Sequence, residues 1–222
     1  MIFVEDDIGA ADSQDVLNLE RLNEKLKDHP CDFDTLLRKA LLLSCPFYRS
    51  DKASIVFDLL ISLYPNSYEV YFWYGQSEYV YVADYEKAAR LLRKAMEINP
   101  NRAEAYILCA EVLDCLGENK EEVESFYKKA EVIEPYWPKS WYGLIYLLKK
   151  QKRFDEAREV IQKALRCIPK NFIDSNDLIQ GRHDWIVSGR DWTCHMEKDL
   201  LQYLQDIDEQ EAKENNGNEG SL

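Results

Sequence analysis

DYEKAARLLRKAMEINPN, residues 84–101, decides the fold. Ala88, Leu92 and Ala95 recur at four- and three-residue steps, so they share one face of a helix. Lys87 falls off that face and is expected on the polar side of the helix. Pro100 ends the helix, because proline lacks the N–H and restricts the residue before it. Working outward from Pro100, proline returns at Pro30, Pro65, Pro135 and Pro169, at intervals of 35, 35, 35 and 34.

Other residues keep the same phase. Eight before each proline lie Leu22, Phe57, Leu92, Tyr127 and Ile161, and five before lie Lys25, Leu60, Ala95, Ala130 and Ala164. Twelve before lie Asn18, Ala53, Ala88, Val123 and Ala157. Six after the first four prolines lie Leu36, Tyr71, Tyr106 and Trp141; ten after lie Ala40, Gly75, Ala110 and Ile145; thirteen after lie Leu43, Glu78, Leu113 and Leu148. These offsets describe two amphipathic helices per unit. Small residues let the helices approach, and large ones fill the space between hairpins. Ser67 and Asn101 are expected to cap first helices, and Asp51, Asn119 and Asp155 second helices. Asp84, Gly117 to Asn119 and Lys152-Arg153 fall in the turns within hairpins.

The period and pattern resemble the tetratricopeptide repeat family, most clearly over 84–101 and over WYGLIYLLKKQKRFDEAREVIQKALRCIP, residues 141–169. The resemblance implies an all-α, right-handed α-solenoid of about four helix-turn-helix repeats with N- and C-terminal capping helices. The repeats are read at 31–65, 66–100, 101–135 and 136–169, with a lead-in helix at 14–30. The first three units are one residue longer than the usual 34 of this family, and the extra residue is assigned to the turn between helices. Residues 170–190 are read as a linker and 191–210 as a capping helix, with Trp192, Met196, Leu200, Tyr203, Leu204 and Ile207 on one face. Residues 1–13 are read as a flexible acidic segment and 211–222 as an acidic disordered tail.

Composition agrees with this class and excludes others. Of 222 residues, 46% are hydrophobic and 31% charged, enough apolar content for a core. Glycine (8) and proline (7) are too few for a turn-rich β fold. No apolar run approaches the length of a membrane span, and the acidic start MIFVEDD lacks the basic region of a secretory signal. The net charge of −13 disfavours non-specific nucleic-acid binding. It is unevenly spread: 1–30 and 205–222 are each −5, whereas 138–170 is +6. Six cysteines without paired spacing suggest a reducing compartment, cytoplasm or nucleus, with most of them buried as small hydrophobes.

No chemistry is legible. His183, Asp184 and Ser188 are neighbours in sequence, which does not make a triad. His183, Cys194 and His195 match no zinc spacing, and there is no phosphate loop. Neither a metal nor a cofactor is expected, and the chain is read as a non-enzyme; a catalytic appendage at 171–195 is the weak enzymatic alternative. The echo GRHDW (181–185) and GRDW (189–192) reads either as packing for the end of the array or as a docking surface.

The resemblance also implies where a ligand lies, along the first helices. Seven residues after each proline stand Leu37, Phe72, Ile107 and Tyr142; eleven after, Leu41, Gln76, Glu111 and Tyr146. Fourteen after stand Ser44, Tyr79, Asp114 and Lys149, and four after, Asp34, Glu69, Glu104 and Lys139. Family members that hold the acidic tail of heat-shock chaperones need Lys and Asn, then Asn, then Lys and Arg on successive units. This chain offers Leu37 and Leu41, Gln76, then Ile107 and Glu111, so a carboxylate would lack charge-assisted donors. The candidate groove is instead apolar, acidic over units one to three and basic in unit four. It suits a protein or peptide with apolar anchors and basic residues, bound by a non-enzymatic scaffold or adaptor. The second reading is an acidic escort chaperone for a basic client, such as a ribosomal or nucleic-acid-binding protein.

Overall fold

The computed structural model describes residues 13–45, 49–117, 120–135, 138–167 and 196–219. The segments read as the N-terminal acidic stretch and the 170–190 linker, the two Gly-Arg echoes, Cys194 and Asn119 lie outside these residues. Every described element is helical. The chain divides into two compact units, 1–123 and 124–222.

The first unit holds α1 (Ser13–Asp28), α2 (Phe33–Ser44), α3 (Ser50–Leu63), α4 (Tyr68–Ser77), α5 (Tyr85–Ile98) and α6 (Ala103–Leu116); α7 (Lys120–Ile133) begins in it. The phase found in the sequence is the packing phase: Ala40, Phe57, Leu60, Ala88, Leu92, Ala95 and Ala110 are fully buried. Phe57 stacks on Tyr74 with ring centroids 4.7 Å apart, joining α3 to α4. α4 and α5 approach closely at Gly75, where a Cβ would sit 2.8 Å from Leu92 Cγ. With so little room, Ala88→Leu on the same face of α5 is expected to destabilise the chain by about 1–3 kcal/mol through overpacking. Urea unfolding checks this, and an effect near zero would reject the register.

Helix starts correct several expectations. Ser67 does cap α4, its Oγ accepting the Val70 N–H at 3.4 Å. Asn101 does not cap α6, since the cap position is Arg102, which makes no side-chain cap bond. Asp51 lies in the first turn of α3, two residues after the Arg49 cap position. Asp155 is likewise in the first turn of its helix, which opens at Phe154. At these in-helix positions a carboxylate favours the helix through the dipole instead of capping it. Two further caps form at Asp32, accepting from Thr35 N–H at 3.1 Å, and at Asp84, accepting from Lys87 N–H at 2.9 Å. The Thr35 hydrogen bonds, with Lys25 beside them, lower the Asp32 carboxyl to about 2.

The extra residue of the second repeat is not in the turn. It is absorbed by a π-helical stretch, Glu78–Val82, that continues α4 and ends at Ala83, φ 61°. A single π turn is the usual way for a helix to take in one residue. Glu78, the first residue of that stretch, stands at a core position of the repeat, 2% exposed, and Lys87 of α5 reaches it at 2.7 Å. Lys87 also donates to Tyr74 Oη at 2.6 Å. Lys87 is therefore no free surface residue. Burial works against its charge, but the hydrogen bonds to Glu78 and Tyr74 outweigh that and raise its pKa.

The cysteines differ from expectation too: among those described only Cys109 is buried, while Cys31, Cys45 and Cys115 are exposed. These three fall at helix ends and turns, where an apolar neighbourhood in sequence does not mean a covered site.

The second unit holds the rest of α7, α8 (Pro138–Lys150), α9 (Phe154–Cys167) and α10 (Met196–Glu219). Trp141, Ile145, Ala157, Ile161 and Ala164 are fully buried. Gly143 is where α8 meets α7: a Cβ there would fall 2.1 Å from Tyr127 Cε1. Arg153, in the turn after α8, donates to Glu124 on α7 at 2.5 Å and also pairs with Glu156. α10 runs to Glu219, through residues expected to be a disordered tail. Arg158 of α9 pairs with Glu211, which composition could not have indicated.

Candidate peptide-binding faces

In the first unit the first helices of successive hairpins lie side by side. Ser44 Oγ of α2 and Ser77 Oγ of α4 are 2.8 Å apart and buried. Between α4 and the segment opening α6, the Arg102 guanidinium sits 4.6 Å over the Tyr68 ring and 3.8 Å from Glu69. Farther along, Tyr79 Oη lies 4.0 Å from Cys115 Sγ of α6. The α2–α4–α6 face is thus continuous within this unit.

The sequence-derived groove residues divide sharply by burial. Leu37, Phe72 and Ile107 are only 3%, 7% and 4% exposed, and Ser44 is buried as well. They join the helices beneath the face and are out of a ligand's direct reach. Phe72 stacks on Tyr68 at 5.7 Å and meets Trp73 edge-on at 5.0 Å. Leu41, Gln76, Tyr79, Glu111 and Asp114 remain partly exposed. Burial raises the Tyr79 phenol, and nearby Glu111 and Cys115 reinforce it, so Tyr79 and Glu111 are brought together. Glu104 takes Arg102 at 2.7 Å through one carboxylate oxygen, and its other oxygen, buried, has no hydrogen-bond partner. Gln76 Oε1 is also buried without a partner. The face is therefore rich in acceptors.

In the second unit, α8 carries Tyr142, Tyr146 and Lys149. Tyr146 is 60% exposed. Tyr142 and Lys149 are covered by α10. Tyr142 Oη donates to Asp199 at 3.2 Å, and its ring meets Tyr203 at 5.8 Å. Lys149 Nζ reaches Asp206 at 3.5 Å and lies 5.0 Å over the Tyr203 ring. Burial raises the Tyr142 phenol, with Asp199 adding to it. The sequence reading missed Asp199 and Asp206 as partners. Their spacing of seven puts both on one flank of α10, and that was the available signal.

Among the described residues, no cluster of three or more His, Cys, Asp or Glu could hold a metal ion. No helix among them is long and apolar enough to cross a membrane.

Comparison with known proteins agrees with this architecture. The family model for the tetratricopeptide repeat matches residues 68–102 and 138–171, one segment in each unit. These two segments match tetratricopeptide repeats, a class of helix hairpins that serves as a protein-interaction scaffold. No curated protein matches the sequence. Among solved structures, MamA from Desulfovibrio magneticus RS-1 is similar at 22% identity and TM-score 0.60, over 70% of this chain and 86% of that one. TTC0263, a tetratricopeptide protein of Thermus thermophilus, is 24% identical with TM-score 0.52, over 69% and 82%. PilF of Pseudomonas aeruginosa is 17% identical with TM-score 0.60, over 71% and 72%. At these identities the likeness concerns the fold.

Proposed function

We propose that the α2–α4–α6 face of the first unit binds an extended peptide that carries basic side chains and one or more apolar anchors. The observation that carries this reading is the buried, unpartnered Gln76 Oε1 at the middle of the face. An acceptor left without a donor is costly, on the order of 1–3 kcal/mol. A peptide N–H or a lysine ammonium supplies the missing donor once the Gln76 side chain turns toward it. Glu111 and Asp114 lie along the same line of helices and favour a cation there, while Glu69 beside them faces Arg102. Leu41 and Tyr79 offer partly exposed apolar surface for an anchor. The buried Leu37, Phe72 and Ile107 keep the helices in place beneath it.

The escort reading draws on the acidic ends of the chain. Part of that charge is already engaged: Asp206 pairs with Lys149, and Asp208 with Arg158. This favours a docking face over a diffuse acidic screen.

Selection of short random peptides on the full-length chain tests the proposal. Enriched sequences should carry Lys or Arg beside an apolar residue. Their affinity should fall about tenfold or more, about 1.4 kcal/mol, in Glu111→Lys. Enrichment of acidic peptides, or equal binding by Glu111→Lys, would overturn it. Binding that vanishes at high salt for any basic polymer would point to the escort instead.

A further inference from the structure

The second unit points to a second surface with the opposite sign. Helix α10 buries only a narrow stripe, with Leu200 and Ile207 fully covered and Tyr203 half-buried. Its other holds on α8 and α9 are polar. Asp199 takes Tyr142, Asp206 takes Lys149, and Asp208 at 2.8 Å and Glu211 take Arg158. The acidic partners stay wet: Asp206, Asp208 and Glu211 are 43%, 69% and 41% exposed. Exposed pairs of this kind are weak and screened by salt. Hydrogen bonds from Gln202 and Lys149 keep the Asp206 carboxyl below its usual range, so the contact is charged near neutral pH. The surface beneath belongs to the basic part of the chain; along α10 it presents Tyr142 to Asp199, then Lys149 to Asp206, then Arg158 to Asp208 and Glu211. Tyr142 and Lys149 also stand at the repeat positions that face ligands in the sequence reading. In addition, 28 residues of chain separate Cys167 from Met196, so α10 is tied to its seat by a long connection.

We infer that the α8–α9 surface is an acceptor for acidic amphipathic helices, and that α10 occupies it as an exchangeable resident ligand. The recognised pattern is that of α10 itself: Asp199, Leu200, Tyr203, Asp206, Ile207 and Asp208. A partner helix with apolar residues at the same spacing and acids on the same flank displaces α10 and takes over Tyr142, Lys149 and Arg158. Tethering gives the resident helix a high effective concentration, so the free surface is guarded against weak competitors. This inference concerns a different unit from the peptide face above and stands apart from it.

The test uses the full-length chain and a fluorescent synthetic peptide of residues 196–213 as probe, read by anisotropy. The probe should bind the unaltered chain weakly. Asp206→Lys with Asp208→Lys, which loosens the resident helix and leaves its seat intact, should raise probe affinity at least about tenfold. Adding Lys149→Glu and Arg158→Glu to that chain should abolish the gain, and so should high salt. Hydrogen exchange on the same chains reads the fold: α8 and α9 should keep their protection while α10 loses it. Equal probe binding with and without the α10 changes would overturn the inference. So would binding that survives Lys149→Glu and Arg158→Glu. Loss of α8 and α9 protection in the Asp206→Lys, Asp208→Lys chain would also overturn it, because α10 would then be a fixed structural cap.

Discussion

A chain carrying Lys87→Glu should lose about 3 kcal/mol of stability, despite the position of Lys87 on the polar side of α5 in the sequence pattern. The cause lies across the hairpin. Glu78 is 2% exposed, and the Lys87 ammonium 2.7 Å away is the cation that holds it. The same ammonium lies 4.3 Å over the Tyr74 ring and donates to its hydroxyl. Reversing the charge sets two carboxylates against each other and strips Tyr74 of its donor. Breaking a buried pair by removing one partner costs about 3–5 kcal/mol, and the lower end applies because Lys87 is 30% exposed. Lys87→Met separates the two effects. It keeps the stem over Tyr74 and removes only the charge, so it should fall between the parent and Lys87→Glu. Glu78→Gln with Lys87→Met should recover part of the loss, since no bare carboxylate is left in the hairpin. Urea unfolding of the four chains measures this series. Hydrogen exchange should place the loss in α3, α4 and α5. A change under about 0.5 kcal/mol for Lys87→Glu, the ordinary surface value, would mean the pair does not form.

Lys87 also marks where sequence reasoning stops. The repeat itself was legible because it depends on periodicity alone. Pro30, Pro65, Pro100 and Pro135 and the small residues in phase with them sit where the hairpins need them, and Ala88, Ala95, Ala130 and Ala164 are all fully buried. Phase tells which face a residue occupies and not what crosses from the next helix. Glu78 stands at a core position and opens the π-helical stretch, and its buried carboxylate is what engages Lys87. The candidate groove shows the same limit. Phase places Leu37, Phe72 and Ile107 on the ligand side, but long apolar side chains there close over the neighbouring first helix. Polar Gln76 and Tyr79 remain partly open. At the far end, composition alone suggested a tail after residue 210. The Arg158 pair with Glu211 is a contact over more than fifty residues of chain, beyond any local pattern.

Trp141→Ala should be the most damaging single truncation in the second unit, at about 3–5 kcal/mol. The indole is fully buried, and its N–H donates to the Pro135 carbonyl at 2.8 Å. It therefore ties the start of α8 to the proline that ends the preceding hairpin. Lys163 of α9 lies 5.6 Å from the ring centroid and pairs with the buried Glu131 of α7. Removing the ring opens a cavity under this pair as well as at the helix start. Trp141→Phe distinguishes packing from hydrogen bonding. It keeps most of the apolar volume but leaves the Pro135 carbonyl without its donor, which costs about 1–3 kcal/mol. The expected order of stability is parent, Trp141→Phe, Trp141→Ala. Thermal melts should register it at about 2–4 °C per kcal/mol for a chain of this size. Hydrogen exchange should show the loss centred on α8 and α9. Equal, small shifts for both variants would mean that the indole is not the link between Pro135 and α8. An equal large loss would instead assign the effect to the hydrogen bond alone, because phenylalanine fills most of the same space.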